Sequence, residues 1–158
     1  MKRSAIMLSL LAGFAAFSSS VAASEHKIGL GMGSNYNGIG GYYGINSQES
    51  LMYGSAGCLA LVQHSNNDIS TDCGVGAGYL STSLFFADDN KHAVGVHVGT
   101  TYNTLDDKNE WQGYVAPQYV YFVDGINKQS VKFGGSIIFS EDEGEVKEAL
   151  TLNMGYQF

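Results

Sequence analysis

From His26 to Phe158, apolar and aromatic residues alternate with glycine, small or polar ones at period two, and no later stretch holds 18 consecutive apolar residues. Period two is the side-chain repeat of a β-strand, whereas an amphipathic helix repeats every 3.6 residues. The chain is therefore expected to fold as strands, and if it enters a membrane it does so without a helical span. The alternation divides into strands over 26–35, 39–47, 50–63, 73–86, 92–104, 110–123, 130–140 and 147–158. Charged residues make up only 15% of the chain, against roughly 25% in ordinary soluble domains. That is too little charge to cover every strand face with water, so one face is expected to meet something else. With 15 Asp and Glu against 8 Lys and Arg, and Arg3 the only arginine, binding to nucleic acid is excluded, because phosphate recognition needs clustered cations.

The N-terminus has the layout of an export signal. Met1-Lys2-Arg3 is a basic start, Ala5 to Phe17 is apolar, and Val21-Ala22-Ala23 is a small-residue cleavage site before Ser24. Residues 1–23 read as a cleaved signal peptide and 24–158 as the exported chain. An apolar run of about 13 residues falls short of the ~20 that a helix needs to cross a bilayer. Lipid attachment is not expected, since Leu11-Ala12-Gly13 is followed by Phe14 where an acceptor cysteine would stand. Eight strands of about 10 residues suit the remaining length and leave seven short connections, with turns expected at 47–49, 87–91 and 124–127 on one side and loops at 35–38, 65–72, 105–109 and 141–146 on the other.

The last strand is the most specific stretch. Leu150, Leu152, Met154, Tyr156 and Phe158 alternate with Thr151, Asn153, Gly155 and Gln157, and the terminal residue is aromatic. This resembles the C-terminal assembly signal of bacterial outer-membrane β-barrels, and the whole chain resembles the small eight-stranded barrels typified by the OmpA transmembrane domain. The resemblance implies an all-β, eight-stranded antiparallel up-and-down transmembrane barrel in the cell outer membrane. It also implies barrel assembly machinery and periplasmic chaperones as partners during biogenesis, then membrane lipid and lipopolysaccharide around a monomer, and no cofactor. Closure follows from the solvent: hydrocarbon cannot satisfy backbone N–H and C=O groups, so spanning strands must leave no edge. The alternative for the same alternation is an edge strand of a soluble periplasmic sandwich.

Face assignments follow from the period. Val94, Val96, Val98, Thr100 and Tyr102 are expected outward, and Gly95, His97, Gly99, Thr101 and Asn103 inward. Val131, Phe133, Ile137 and Phe139 oppose Lys132, Gly134, Ser136 and an awkward Ile138, while Trp111, Val115, Tyr119 and Tyr121 oppose Gln112, Ala116 and Gln118. His97, Gln118, Lys132 and Asn153 are thus the polar interior candidates. An eight-stranded barrel is only wide enough to be filled by side chains, so inward Gly29, Gly31 and Gly33 would make room for Tyr42, Tyr114, His97 and Lys132, and no open pore is expected. With no arginine after the signal, the interior must be held by neutral hydrogen bonds and close glycine packing. The fourth strand fits poorly: Val75, Ala77 and Tyr79 favour one face, and Leu80, Leu84 and Phe86 the other, which indicates a bulge or a misplaced boundary. Pro117 removes a ladder donor in mid-strand.

Four further features bear on chemistry. Cys58 and Cys73 flank the second loop; they either close a disulfide across the hairpin or are two unpaired small residues. His64 and Ser65 offer a weak resemblance to outer-leaflet lipid A deacylases, whose His and Ser are separated by one residue on a strand. Here they are adjacent and would point oppositely, so a polar loop is the plainer reading. Gly29-x-Gly31-x-Gly33 lacks the helix that a nucleotide-binding turn requires. Glu141 to Glu145 is a solvated acidic loop or a divalent-cation contact to lipopolysaccharide, and no zinc-type ligand spacing occurs. The expected function is a structural or surface-interaction role in the outer membrane; the alternatives are a lipid A-modifying enzyme and a narrow channel.

Overall fold

A computed structural model describes residues 25–62, 69–84, 89–103, 110–142 and 144–158. Eight strands follow one another: β1 (Glu25–Gly33), β2 (Gly38–Asn46), β3 (Ser50–Val62), β4 (Ile69–Ser81), β5 (His92–Asn103), β6 (Glu110–Phe122), β7 (Ser130–Asp142) and β8 (Glu145–Gln157). Each pairs antiparallel with the next in chain order, and β1 pairs with β8, so the sheet closes on itself. The protein is an all-β, up-and-down, eight-stranded barrel. Glu25, Gln157 and the strand ends that flank 47–49, 82–91 and 123–129 lie at one end, called here the turn end; the opposite strand ends define the loop end.

The period-two reading of the faces is realised. Along β5, Ala93 and His97 are buried inside while Val98 is exposed outside; along β7, Lys132 and Ser136 are buried while Val131, Phe133 and Ile137 are exposed. The distribution is inside out relative to a water-soluble domain, with large apolar residues on the outer face of every strand, among them Leu30, Tyr43, Met52, Val75, Val98, Val115, Phe133 and Leu152.

Strand four corrects the sequence reading of 73–86. β4 runs from Ile69 to Ser81 and pairs with β3 in an unbroken register from Ser50↔Ser81 to Val62↔Ile69, so the boundary was misplaced and no bulge is present. Leu84 follows the strand and is exposed, while Leu80 points inward and is fully buried. The acidic stretch is corrected too: β7 continues to Asp142 and β8 begins at Glu145, leaving 143–144 as the connection, with Gly144 at φ 87°. A tight connection with glycine in the left-handed region is what closes so short a hairpin. Pro117 does interrupt its ladder. The β6–β7 pairing holds from Tyr114↔Ser140 to Val115↔Phe139 and resumes in the same register at Gln118↔Ser136, skipping Ala116 and Pro117.

The first hairpin departs most from expectation. β1 and β2 have 9 residues each, whereas β3 has 13. Their connection, a 3-10 turn over Ser34–Tyr36 followed by Asn37 in the left-handed region, folds into the lumen, and all four residues are buried. The sequence suggested only a loop over Asn35–Gly38 on the side opposite the turns. Gly33 and Gly38, at φ 112° and 108°, let the chain reverse inward.

Candidate functional site: the barrel lumen

The lumen is filled in layers, beginning with an apolar plug at the turn end. Leu51, Leu80, Ala93, Val120 and Phe122 point inward there, and Ile126 from the β6–β7 connection closes the layer beneath them. Hydrogen bonds hold that connection under the barrel: Gln157 Nε2 donates to the carbonyls of Ile126 (2.7 Å) and Lys128 (3.0 Å), the Ile126 N–H donates to the Asn90 carbonyl (2.9 Å), and Asn127 Nδ2 donates to the Gln48 carbonyl (2.8 Å). Sequence reasoning placed 124–127 in a turn and missed that Ile126 turns inward.

Above the plug sits an aromatic layer around one cation. Lys132 is almost fully buried, and its Nζ lies 4.0 Å from the ring centre of Tyr42, 4.9 Å from Tyr36, 5.8 Å from Phe122 and 5.9 Å from Tyr53. Nζ has no hydrogen-bond partner, and the described residues include no acidic group in ion-pair contact with it. The ammonium is held by ring faces alone, each contributing roughly 0.5–2 kcal/mol according to how far water is excluded.

Neutral hydrogen bonds knit the aromatic layer to the tucked hairpin. The Tyr114 hydroxyl donates to Asn37 Oδ1 (2.6 Å) and lies 3.1 Å from His97 Nε2; Asn37 Nδ2 donates to Ser55 Oγ (2.8 Å). Ser34 Oγ donates to Asn153 Oδ1 (3.1 Å) and pairs with Ser136 Oγ, to which Asn153 Nδ2 also donates (3.0 Å). Gln118 Nε2 donates to the Tyr53 hydroxyl (3.0 Å), and the Tyr42 hydroxyl to Gln157 Oε1 (2.7 Å). The four interior candidates, His97, Gln118, Lys132 and Asn153, all lie in this region, although Lys132 shares none of its hydrogen bonds. Asn37 and Ser34, which complete the network, and Tyr36, which adds only its ring to the aromatic layer, could have been found only by recognising that a turn flanked by two glycines can fold inward.

Glycine makes the space. Inward Gly29 lies under the Tyr42 ring, Gly31 and Gly155 under Tyr36, Gly78 under Tyr53, Gly76 under His97 and Gly99 under Tyr114. A Cβ at any of these positions would collide with the ring it supports. Of the space expected from Gly29, Gly31 and Gly33, Tyr42 takes the first and Tyr36 the second, while Gly33 packs on Asn153; Tyr114 and His97 rest on glycines of β5 and β4 instead.

At the loop end a cavity of about 430 Å³ remains, bounded below by Asn37 and Tyr114. Cys58 and Cys73 face each other in the β3–β4 register on the outer wall and are joined by a disulfide, with their Cα atoms 4.0 Å apart. The C-terminal residues Leu150, Leu152, Met154, Tyr156 and Phe158 all point outward and are exposed. His64, Ser65 and the signal segment 1–23 lie outside the described residues. No family model matches the chain, and neither the curated proteins nor the solved structures provide a match.

Proposed function

We propose that the chain is a small integral outer-membrane β-barrel whose lumen is closed to ion flow and whose role is structural or one of surface interaction. The observation that carries this reading is the inverted barrel: large apolar side chains stand exposed on the outer face of all eight strands, and the polar side chains are collected inside. In water such a continuous apolar surface would drive association; in hydrocarbon it is the surface that costs least. Aromatic residues support the reading. Tyr102 and Trp111 pack together at the loop end, and Tyr43, Tyr79, Tyr119 and Tyr156 lie toward the turn end, as two interfacial belts would.

The filled lumen argues against conduction, because Ile126, Phe122 and the rings around Lys132 occupy the axis. The terminal Phe158 and the outward residues before it would act as the assembly signal for export after cleavage of residues 1–23. Gel mobility of the outer-membrane fraction in SDS, unheated against boiled, tests the reading. A closed membrane barrel shifts only after heating; recovery from the soluble periplasm with no shift refutes it, and stepwise conductance in planar bilayers refutes the closed lumen.

A further inference from the structure

The cavity at the loop end is lined by residues from both sides of the barrel wall. Tyr114, Gln112 and Ile138 reach it from inside, on β6 and β7, whereas Met32, Ile39 and Leu152 belong to the outer face of β1, β2 and β8. A space enclosed by a complete wall could not touch both sets. The wall is low at this point because β1–β2 is short: β1 last pairs with β8 at Met32↔Met154, and β2 with β3 at Ile39↔Cys58, yet β8 begins at Glu145 and β3 runs to Val62.

The apolar outer surface does not stop where the wall does. Leu152 and Leu150 stand on β8 beyond the last β1 pairing, face outward, and are 80% and 77% exposed. Hydrocarbon that covers them therefore rises above the hairpin tip and meets the cavity sideways. Most of the accessible lining is apolar, since Ser34, Asn37 and Tyr114 spend their polar atoms on one another and on the network below, although Asp72, Thr101 and Gln112 also border it. The volume lies within the ~300–1,000 Å³ usual for ligand sites.

We infer that this cavity receives the acyl chain of a surrounding membrane lipid, which passes over the β1–β2 tip from the bilayer into the barrel. The inference rests on the membrane reading above and names a ligand class for the lumen.

Tryptophan quenching by phospholipids brominated on the acyl chain tests it. Trp111 is the only tryptophan, so Trp111→Phe gives a silent background in the mature barrel reconstituted into phosphatidylcholine vesicles. Ile138→Trp probes the cavity, Gln112→Trp probes it a second time should the first variant misfold, and Leu150→Trp probes the outer face; folding is checked by heat-dependent mobility. The expected result is quenching of a cavity probe to the same extent as the Leu150→Trp probe. Quenching of Leu150→Trp alone overturns the inference and leaves the membrane reading standing, whereas no quenching of Leu150→Trp removes the membrane reading and the inference with it.

Discussion

Gly99→Ala adds one methyl group to β5, and its effect can be worked out from what surrounds that position. An ideal Cβ there would lie 2.7 Å from Tyr114 Cζ and 2.8 Å from Cε1, well inside contact distance. A ring tip can normally swing aside. This one is fixed by its hydroxyl, which donates to Asn37 Oδ1 at 2.6 Å and sits 3.1 Å from His97 Nε2. The barrel must either accept the overlap, at about 1–3 kcal/mol for an overpacked core, or move the ring and give up a buried hydrogen bond at about 0.5–1.5 kcal/mol. A loss of about 0.5–3 kcal/mol follows. Gly113→Ala is the matched control. Gly113 is on β6, one register step from the Gly99↔Tyr114 pair, and has nothing within 4 Å of its Cβ position; there the change should be neutral or stabilising by up to about 1 kcal/mol through the unfolded chain. Urea unfolding in lipid vesicles, scored by the fraction with unheated SDS mobility, measures both. In a Tyr114→Leu background the penalty of Gly99→Ala should largely vanish, giving a coupling energy of about 0.5–3 kcal/mol. Equal midpoints for the two alanine variants, or a penalty that survives in the leucine background, would refute the idea that the glycines exist to seat aromatic rings.

Three other outcomes follow from the same structure. Lys132→Met should fold and resist urea at least as well as the parent, since the ammonium has ring faces but no hydrogen-bond partner, whereas Lys132→Glu should not acquire unheated mobility; a strongly destabilised methionine variant would show that the charge is needed. Reducing the Cys58–Cys73 bond, which spans 15 positions, should cost at most about 3 kcal/mol in the urea midpoint. A larger loss would mean that the bond does more than close a hairpin whose β3–β4 ladder is already complete. Pro117→Val restores an N–H facing β7, and hydrogen exchange should find that amide protected; rapid exchange would show that the gap at Ala116 and Pro117 has another cause.

The barrel was legible in the sequence because its two faces differ in character, apolar outside and polar or small inside, and the side-chain period separates them residue by residue. Faces on β5, β6, β7 and β8 could be assigned with no knowledge of the pairing. What failed was each place where an apolar residue serves the lumen instead of the outer band. Leu80 shares a strand with outward Tyr79 and breaks the alternation, yet it belongs to the turn-end plug with Phe122 and Ile126. Ile138, awkward on an inward face, lines the loop-end cavity. The hairpin tip was misread for the opposite reason: Ser34, Asn35 and Asn37 have the composition of a water-facing turn, and their partners Ser136, Asn153, Ser55 and Tyr114 lie on strands distant in sequence. A polar turn can face water or a polar lumen, and local composition does not distinguish the two.

One element links the closed lumen to the low wall. The inward fold of the β1–β2 connection brings Tyr36 against Tyr42 and its ring centre within 4.9 Å of the Lys132 ammonium, supplying a face of the cage that no acidic group among the described residues replaces. The same fold uses up residues that would otherwise lengthen β1 and β2, so the hairpin ends while β3 and β8 continue. A longer hairpin would complete the wall and withdraw the ring from the axis in one step. Its interior would then hold a cation with fewer partners in an emptier tube, an arrangement that costs desolvation without compensation. Axial filling and a low wall are therefore adopted together: the segment whose ring reaches the barrel axis is the one missing from the wall between β8 and β3.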